Sequence, residues 1–420
     1  MSKTSQKTPW FFVPSLYFAE GIPYCVVMIL SVVMFKKMSI TNREIGIWTS
    51  LLSLPWVIKP LWSPLVEMHW KKRRWIWIMQ LLIGSVFAIV APSLHLPSFF
   101  PVVVCLLGIT AMLSATHDIA ADGFYILSLN SHQQALFAGI RNTFYRLAMI
   151  FCQGGLIMAA GMLESSFHHI TYSWTVIFFG IALLMLLLGT WHWCILPHPD
   201  NDKVQEMMPL SMWSEVFSSF FRKPGIARML FFLLVYRLGE GQLVKMMIPF
   251  MLDARAAGGL ALSTTQVGFI YGMIGTISLL AGGIIGGLWT ASHGLKKTLP
   301  LMWACMNIPD ILYLGLSYYP PGNQYIVWTC VCAEQFGYGV GFVGYMLYML
   351  YIAGQGKWKT AHYAISTGFM ALGMMFSGMI SGYLQELLGY QMFFMWVLIC
   401  TLPALIAIKK LPLDPHFGNR

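Results

Sequence analysis

Eleven Asp, Glu, Lys and Arg side chains lie well inside the long apolar runs of this 420-residue chain. The acids are Glu20, Asp118, Asp122, Glu240, Asp310 and Glu334; the bases are Lys59, Arg141, Arg146, Arg237 and Lys245. At mid-bilayer such a group costs about 2.5–3.5 kcal/mol on insertion scales, so it persists where it is paired or where it serves a charged cargo. Six acids against five bases imply pairing across helices. Carboxyls that gain and lose a proton inside a protein are candidate proton carriers, and Asp118, Asp122, Glu240, Glu334 and Glu20 are assigned that chemistry. Arg141, Arg146 and Arg237 carry the planar donor fork that grips a carboxylate. Lys59 precedes Pro60 and has two readings, a snorkelling lysine near a helix end and a further cargo-binding cation. Tyr17, Tyr24, Tyr125, Tyr271 and Tyr338 are the candidates to line a cleft with flat, hydroxyl-bearing faces suited to sugar rings.

Helical spacing sorts these groups. Asp118 and Asp122 are four apart and share a face, which Tyr125 continues one turn on. Arg237 and Glu240 are three apart and are expected to pair along one helix. Arg141 and Arg146 are five apart and serve different surroundings; one is expected to meet the acids near residue 120. Glu20 and Glu240 each precede a glycine, where a helix can flex. Asp310 follows Pro309 and is read as structural.

The elements that position these residues must be membrane helices. The apolar set makes up 57% of the chain and charged residues 10%, against about 25% charged in a soluble protein. Disorder, nucleic-acid-binding modules and soluble enzymes are excluded on that ground. A helix needs about 20 mainly apolar residues to cross the bilayer. Twelve runs qualify: 11–35, 44–66, 75–93, 99–128, 134–163, 170–196, 226–252, 264–291, 297–318, 324–353, 360–388 and 390–408, numbered below as spans 1 to 12. The polar segment 197–225 separates an N-terminal six-span bundle (1–196) from a C-terminal one (226–420). With both termini cytoplasmic, 17 of the 26 Lys and Arg fall on the cytoplasmic side, 4 on the other and 5 within spans, as the positive-inside rule requires. The net charge of +10 then meets anionic lipid headgroups and calls for no nucleic acid. The eight Cys are read as reduced apolar packers; no metal and no cofactor are expected.

An internal repeat fixes the architecture. From Glu20 of Glu20-Gly21 in span 1 to Gly46 of Glu44-Ile45-Gly46 is 26 residues, and from Glu240 of Glu240-Gly241 in span 7 to Gly268 of Gln266-Val267-Gly268 is 28. Two six-helix halves with both ends inside are the layout of the major facilitator superfamily, whose sites lie at the repeat interface. The loop after span 2 carries Glu67 and then Lys71, Lys72, Arg73 and Arg74. It resembles that superfamily's degenerate loop signature, in which an acid near a helix end helps lock one conformation.

On further motifs the chain resembles the AmpG-type muropeptide permeases, within the peptide/acetyl-CoA transporter group of that superfamily. The carriers are Phe18-Ala19-Glu20-Gly21-Ile22-Pro23, Lys59-Pro60-Leu61-Trp62-Ser63-Pro64-Leu65, Asp118-Ile119-Ala120-Ala121-Asp122, Tyr145-Arg146-Leu147, Tyr236-Arg237-Leu238-Gly239-Glu240 and Glu334. The resemblance implies proton-driven import of anhydro-muropeptides across the bacterial inner membrane by a monomeric multi-pass protein. It places Lys59, Asp118, Asp122 and Arg146 on family-typical charged positions. The chain departs from the family at Glu20, at Glu67 in place of Asp, at the extra charges Arg141 and Lys245, and in lacking two additional helices. Related short members carry siderophores, so a siderophore or other amphipathic solute is the alternative cargo. A membrane-embedded transferase is the third reading. Its best pieces, His117-Asp118 and His168-His169, are poor: neighbours on a helix point about 100° apart.

Overall fold

In hydrocarbon every backbone N–H and C=O must be satisfied within the chain, which leaves helices as the solution for long apolar runs. The computed structural model, which describes residues 8–199, 202, 210–355, 357–414 and 417, is almost entirely helical. Among the described residues nine stretches are long and apolar enough to cross a membrane. Three interruptions account for the difference from the twelve expected. Span 2 is split into Asn42–Leu51 and Leu54–His69. Span 7 is split into Ile226–Val235 and Leu238–Leu252. Spans 11 and 12 run together as Lys359–Lys409, turned at Gly389 (φ 70°, ψ 167°).

Helix starts explain part of the repeat. Thr41 Oγ1 accepts from the Glu44 N–H at the start of span 2. Ser263 and Gln266 form a reciprocal capping box at the start of span 8. The Glu44 and Gln266 motifs are thus the third residues of two capped helices, where such side chains satisfy otherwise orphaned N–H groups. The glycine that follows each acid in the repeat also has matching work. A Cβ on Gly21 would lie 2.8 Å from Ala148 in span 5, and one on Gly241 would lie 2.8 Å from Ser377 in span 11. Spans 1 and 7 therefore approach corresponding helices at corresponding points.

Three helices contain wider π-helical turns: Val26–Leu30 in span 1, Phe151–Leu156 in span 5 and Gly268–Gly275 in span 8. The first lies just beyond Pro23, which lacks an N–H to donate; the other two are glycine-bearing.

The chain divides into two compact units. One comprises residues 1–38 and 58–208, the other 39–57 and 209–420. The N-terminal unit is cored by Phe12, Leu16, Tyr17, Ile76 and Phe124. The C-terminal unit is cored by Phe232, Tyr236, Tyr345 and Tyr348, and helix Asn42–Leu51 packs within it against Lys359–Lys409 and Leu238–Leu252. The segment between spans 6 and 7 is not all loop, since Leu210–Phe221 is a helix; Asp200, Lys203 and Glu206 lie outside the described residues.

Candidate functional site

In the N-terminal unit, helix Phe99–Ser128 presents Asp118 and Asp122 on one face, and each meets a cation. Lys59 Nζ lies 2.9 Å from Asp118 Oδ2, and Arg141 Nη2 lies 3.0 Å from Asp122 Oδ1. Tyr17 Oη donates to the same Asp122 oxygen at 3.2 Å. The Arg141 guanidinium sits 4.6 Å above the Tyr17 ring and 5.1 Å above the Tyr125 ring, and the two rings meet edge to face. Cation–π contact of this kind fixes the fork's plane. Glu20, buried in span 1, lies close enough to Asp118 for the two carboxyls to interact. Two such carboxyls side by side can share one proton, which one donates to the other. The network runs from Glu20 at its closed end, 8% exposed, to Asp122 at its open end, with a side chain 44% exposed.

Several expectations are corrected here. Lys59 is not a snorkelling lysine: its ammonium turns to Asp118. Of the two arginines, one of which was expected at the span 4 acids, Arg141 is the one that meets them; the Arg146 Nε is buried with no hydrogen-bond partner among the described residues. Tyr125 Oη donates to the Gln134 carbonyl, so its ring and not its hydroxyl faces the network. Tyr24 is half-buried in span 1.

A second polar chain, absent from the sequence reading, threads the same unit. Ser15 Oγ is 2.9 Å from His192 Nε2, His192 Nδ1 is 2.7 Å from Gln80 Oε1, and Gln80 Nε2 is 2.9 Å from His117 Nε2. Gln80, His117 and His192 are all buried. His117 thus points to Gln80, away from any catalytic pairing with Asp118.

The C-terminal unit is arranged differently. Arg237 stands just outside the helix that begins at Leu238, so it and Glu240 do not lie on one continuous helix as expected. Its Nη2 donates to Tyr338 Oη, and its guanidinium lies 5.0 Å over the Tyr338 ring. Both Glu240 oxygens lack a hydrogen-bond partner among the described residues. Glu334 accepts from Tyr313 at 3.3 Å and from Gln335 at 3.0 Å. Asp310, read as structural from the sequence, is buried, and among the described residues neither of its oxygens has a hydrogen-bond partner. Lys245 Nζ donates to Thr49 at 3.0 Å. Tyr271 is buried in the π-helical turn of span 8.

At the loop after span 2, the side chain of Glu67 lies outside the described residues. Asp202 caps the helix Lys72–Ser93, accepting from the backbone N–H of Lys72 at 2.9 Å and of Arg73 at 3.2 Å. The Arg73 guanidinium reaches back to the Leu196 carbonyl at 2.9 Å, Arg74 covers the Trp70 ring, and Lys71 precedes the helix. Among the described residues no cluster of metal-ligating side chains is found.

The chain has the major facilitator fold, with nine stretches among the described residues long and apolar enough to cross a membrane. The fold matches the D-xylose-proton symporter at TM-score 0.72 with 12% identity, covering 95% of this chain and 97% of that one. It matches the nucleoside transporter NupG at TM-score 0.71 with 15% identity, covering 95% and 98%. No family model matches the chain. Its relatives are AmpG-type transporters: it is 22% identical over 404 residues to the putative transporter AmpG 4 of Rickettsia conorii, covering 90% of this chain and 92% of that protein. It is likewise 22% identical to the anhydromuropeptide permease of Escherichia coli K12, covering 94% and 77%. With transporters and permeases as its relatives, the protein is not an enzyme, and the transferase reading falls away.

Proposed function

We propose that the chain is a proton-coupled importer of anhydro-muropeptides, amino-sugar peptides of the cell wall, across the bacterial inner membrane. It works as a monomer with both termini cytoplasmic. The observation that carries this reading is the N-terminal network, in which three carboxyls (Glu20, Asp118, Asp122) face two cations (Lys59, Arg141). Full ionisation would leave one buried negative charge, which a low-dielectric interior does not tolerate. One proton on the Glu20–Asp118 pair neutralises it. The network is thus a place where a single proton is held and released.

The open end suits the cargo. A peptide carboxylate can take the Arg141 fork in place of Asp122, and the Tyr17 and Tyr125 rings offer faces for a sugar. Arg146 and Arg237 are further carboxylate-binding candidates. Displaced Asp122 then becomes an uncompensated anion, so cargo binding and proton binding favour each other. This mutual dependence is what a symporter needs to bias alternating access. The basic loop of Lys71, Lys72, Arg73 and Arg74, with Glu67, is assigned to locking one conformation. The relative's name, anhydromuropeptide permease, supports the choice of cargo.

The test is uptake of labelled anhydro-muropeptide into proteoliposomes under an imposed proton gradient. Wild type accumulates label, and Asp122→Asn loses accumulation while still inserting. Coupled uptake that survives in Asp122→Asn refutes the assignment of that residue. Competition by a ferric siderophore and not by unlabelled muropeptide refutes the cargo.

A further inference from the structure

We propose that the C-terminal unit holds a second proton-binding centre, shared by Glu240, Asp310 and Glu334, in which Asp310 is a working member. The inference rests on the proton-coupled reading above and adds to it a site built wholly within the other unit.

Three helices bring one acid each. Glu240 lies in the first turn of Leu238–Leu252, Asp310 opens Asp310–Tyr318, and Glu334 lies within Gln324–Gly354. Their exposures are 0%, 1% and 0%. Asp310 is within electrostatic range of both Glu240 and Glu334, and Glu334 is within range of Glu240.

A helix N-terminus attracts acids, so Glu240 and Asp310 invite a simpler explanation as capping residues. The hydrogen bonds speak against it. A capping carboxylate accepts from backbone N–H groups, yet neither oxygen of Asp310 nor of Glu240 has any partner among the described residues. Neither acid therefore serves as a helix cap.

The surrounding groups do not neutralise three anions. Arg237 is the cation that acts on Glu240. Lys245, five residues beyond Glu240, turns its ammonium to Thr49. Span 8 contributes Tyr271 and span 9 Tyr313, which donates to Glu334. Span 10 contributes Gln335 and Tyr338. Helix Lys359–Lys409 faces span 7 with Ser377 and Trp396, neither of them charged. Three carboxyls against one acting cation leave two negative charges, and buried ionised carboxylates without partners do not persist. A metal ion would serve as well in principle, but the described residues contain no group spaced to hold one. Protons are the ligand that fits. Each binds one carboxylate oxygen and converts the group to a neutral acid.

Infrared difference spectra of the purified full chain read this directly. Wild type near neutral pH should show the carbonyl band of protonated carboxylic acid, and Asp310→Asn should remove a resolvable part of it. Glu334→Gln serves as the second variant should Asp310→Asn fail to fold. In proteoliposomes, gradient-driven accumulation relative to counterflow by the same variant should fall at least about tenfold, a loss of about 1.4 kcal/mol of coupling. An unchanged infrared band, or an unchanged ratio of driven uptake to counterflow, overturns the proposal. Driven uptake that follows a sodium gradient instead also overturns it, in favour of a cation site. A wild type that ignores the proton gradient altogether defeats the underlying transport reading, and the infrared result then decides separately whether Asp310 holds a proton.

Discussion

In the N-terminal unit Asp118 meets Lys59 and Asp122 meets Arg141, whereas in the C-terminal unit Glu240 and Asp310 meet no hydrogen-bond donor among the described residues. The same repeat that places Glu20 before Gly21 places Glu240 before Gly241. The two halves have therefore kept a common packing point and diverged in how they treat its acid. Glu20 joins a network of matched ions; Glu240 joins a cluster of unmatched acids. Matched ions are held charged by their partners, so removing one member strands the other. Unmatched acids are held neutral by protons, so replacing one with its amide removes little. The contrast yields different responses to mutations that look alike on paper.

The largest effect is expected from Lys59→Met, which strands Asp118 within the N-terminal network. Breaking one side of a buried pair costs about 3–5 kcal/mol, and this pair, with side chains 32% and 18% exposed, should fall at the lower end. Thermal unfolding in detergent should show a marked drop, and Lys59→Met with Asp118→Asn should recover most of it without restoring uptake. A single variant as stable as wild type would break the comparison on the N-terminal side. Next, Gln80→Leu deprives His117 and His192 of their shared amide. It should cost about 1–3 kcal/mol, the penalty for buried polar groups left unsatisfied, and it should do so at any proton gradient. Smaller still is Asp310→Asn, which should shift unfolding by less than about 1 kcal/mol, because a neutral acid gives way to a neutral amide of similar shape. A loss as large as that of Lys59→Met would show that Asp310 is a matched ion after all, and the contrast would vanish.

The smallest effect lies outside the spans. Lys223, between helices Leu210–Phe221 and Ile226–Val235, is buried with its ammonium on the Ile352 carbonyl. Burial pushes its pKa down to about 8, against about 10.4 in an unfolded chain. Between these values the unfolded chain binds more protons, so this residue's contribution to stability rises with pH from about 8 to about 10.4. The difference in unfolding temperature between wild type and Lys223→Met should move in that direction across the window. A difference that stays constant would show that burial does not govern Lys223.

The parts of this arrangement legible in the sequence are those set by spacing along one helix. Asp118 and Asp122 share a face because four residues make nearly one turn, and that inference needs no tertiary knowledge. The repeated Glu44 and Gln266 motifs were visible as repeats, although their capping role emerges only with Thr41 and Ser263 placed before them. What spacing misleads on is a helix that breaks. The sequence Tyr236-Arg237-Leu238-Gly239-Glu240 has no proline, and a single glycine does not end a helix, so Arg237 and Glu240 read as one turn of continuous helix; the chain breaks at Arg237, and its guanidinium meets Tyr338. Pairings over long separations are equally hidden. Gln80 and His192 are 112 residues apart, each a lone polar residue in an apolar run, and their isolation there was the available signal. Lys59 was misjudged for a related reason: proximity to Pro60 suggested a helix end, but Leu54–His69 continues past it.

The π-helical turns in spans 1, 5 and 8 carry one further consequence. Such a turn accommodates an extra residue by shifting each hydrogen bond one position along. The surplus residue can pass up or down the rod as neighbouring bonds exchange in succession, without the whole rod melting. Material above the surplus is then screwed by a fraction of a turn relative to material below. Spans 1, 5 and 8 thus own an axial degree of freedom that a regular helix lacks, and Glu20, Arg141 and Tyr271 ride on the rods that possess it.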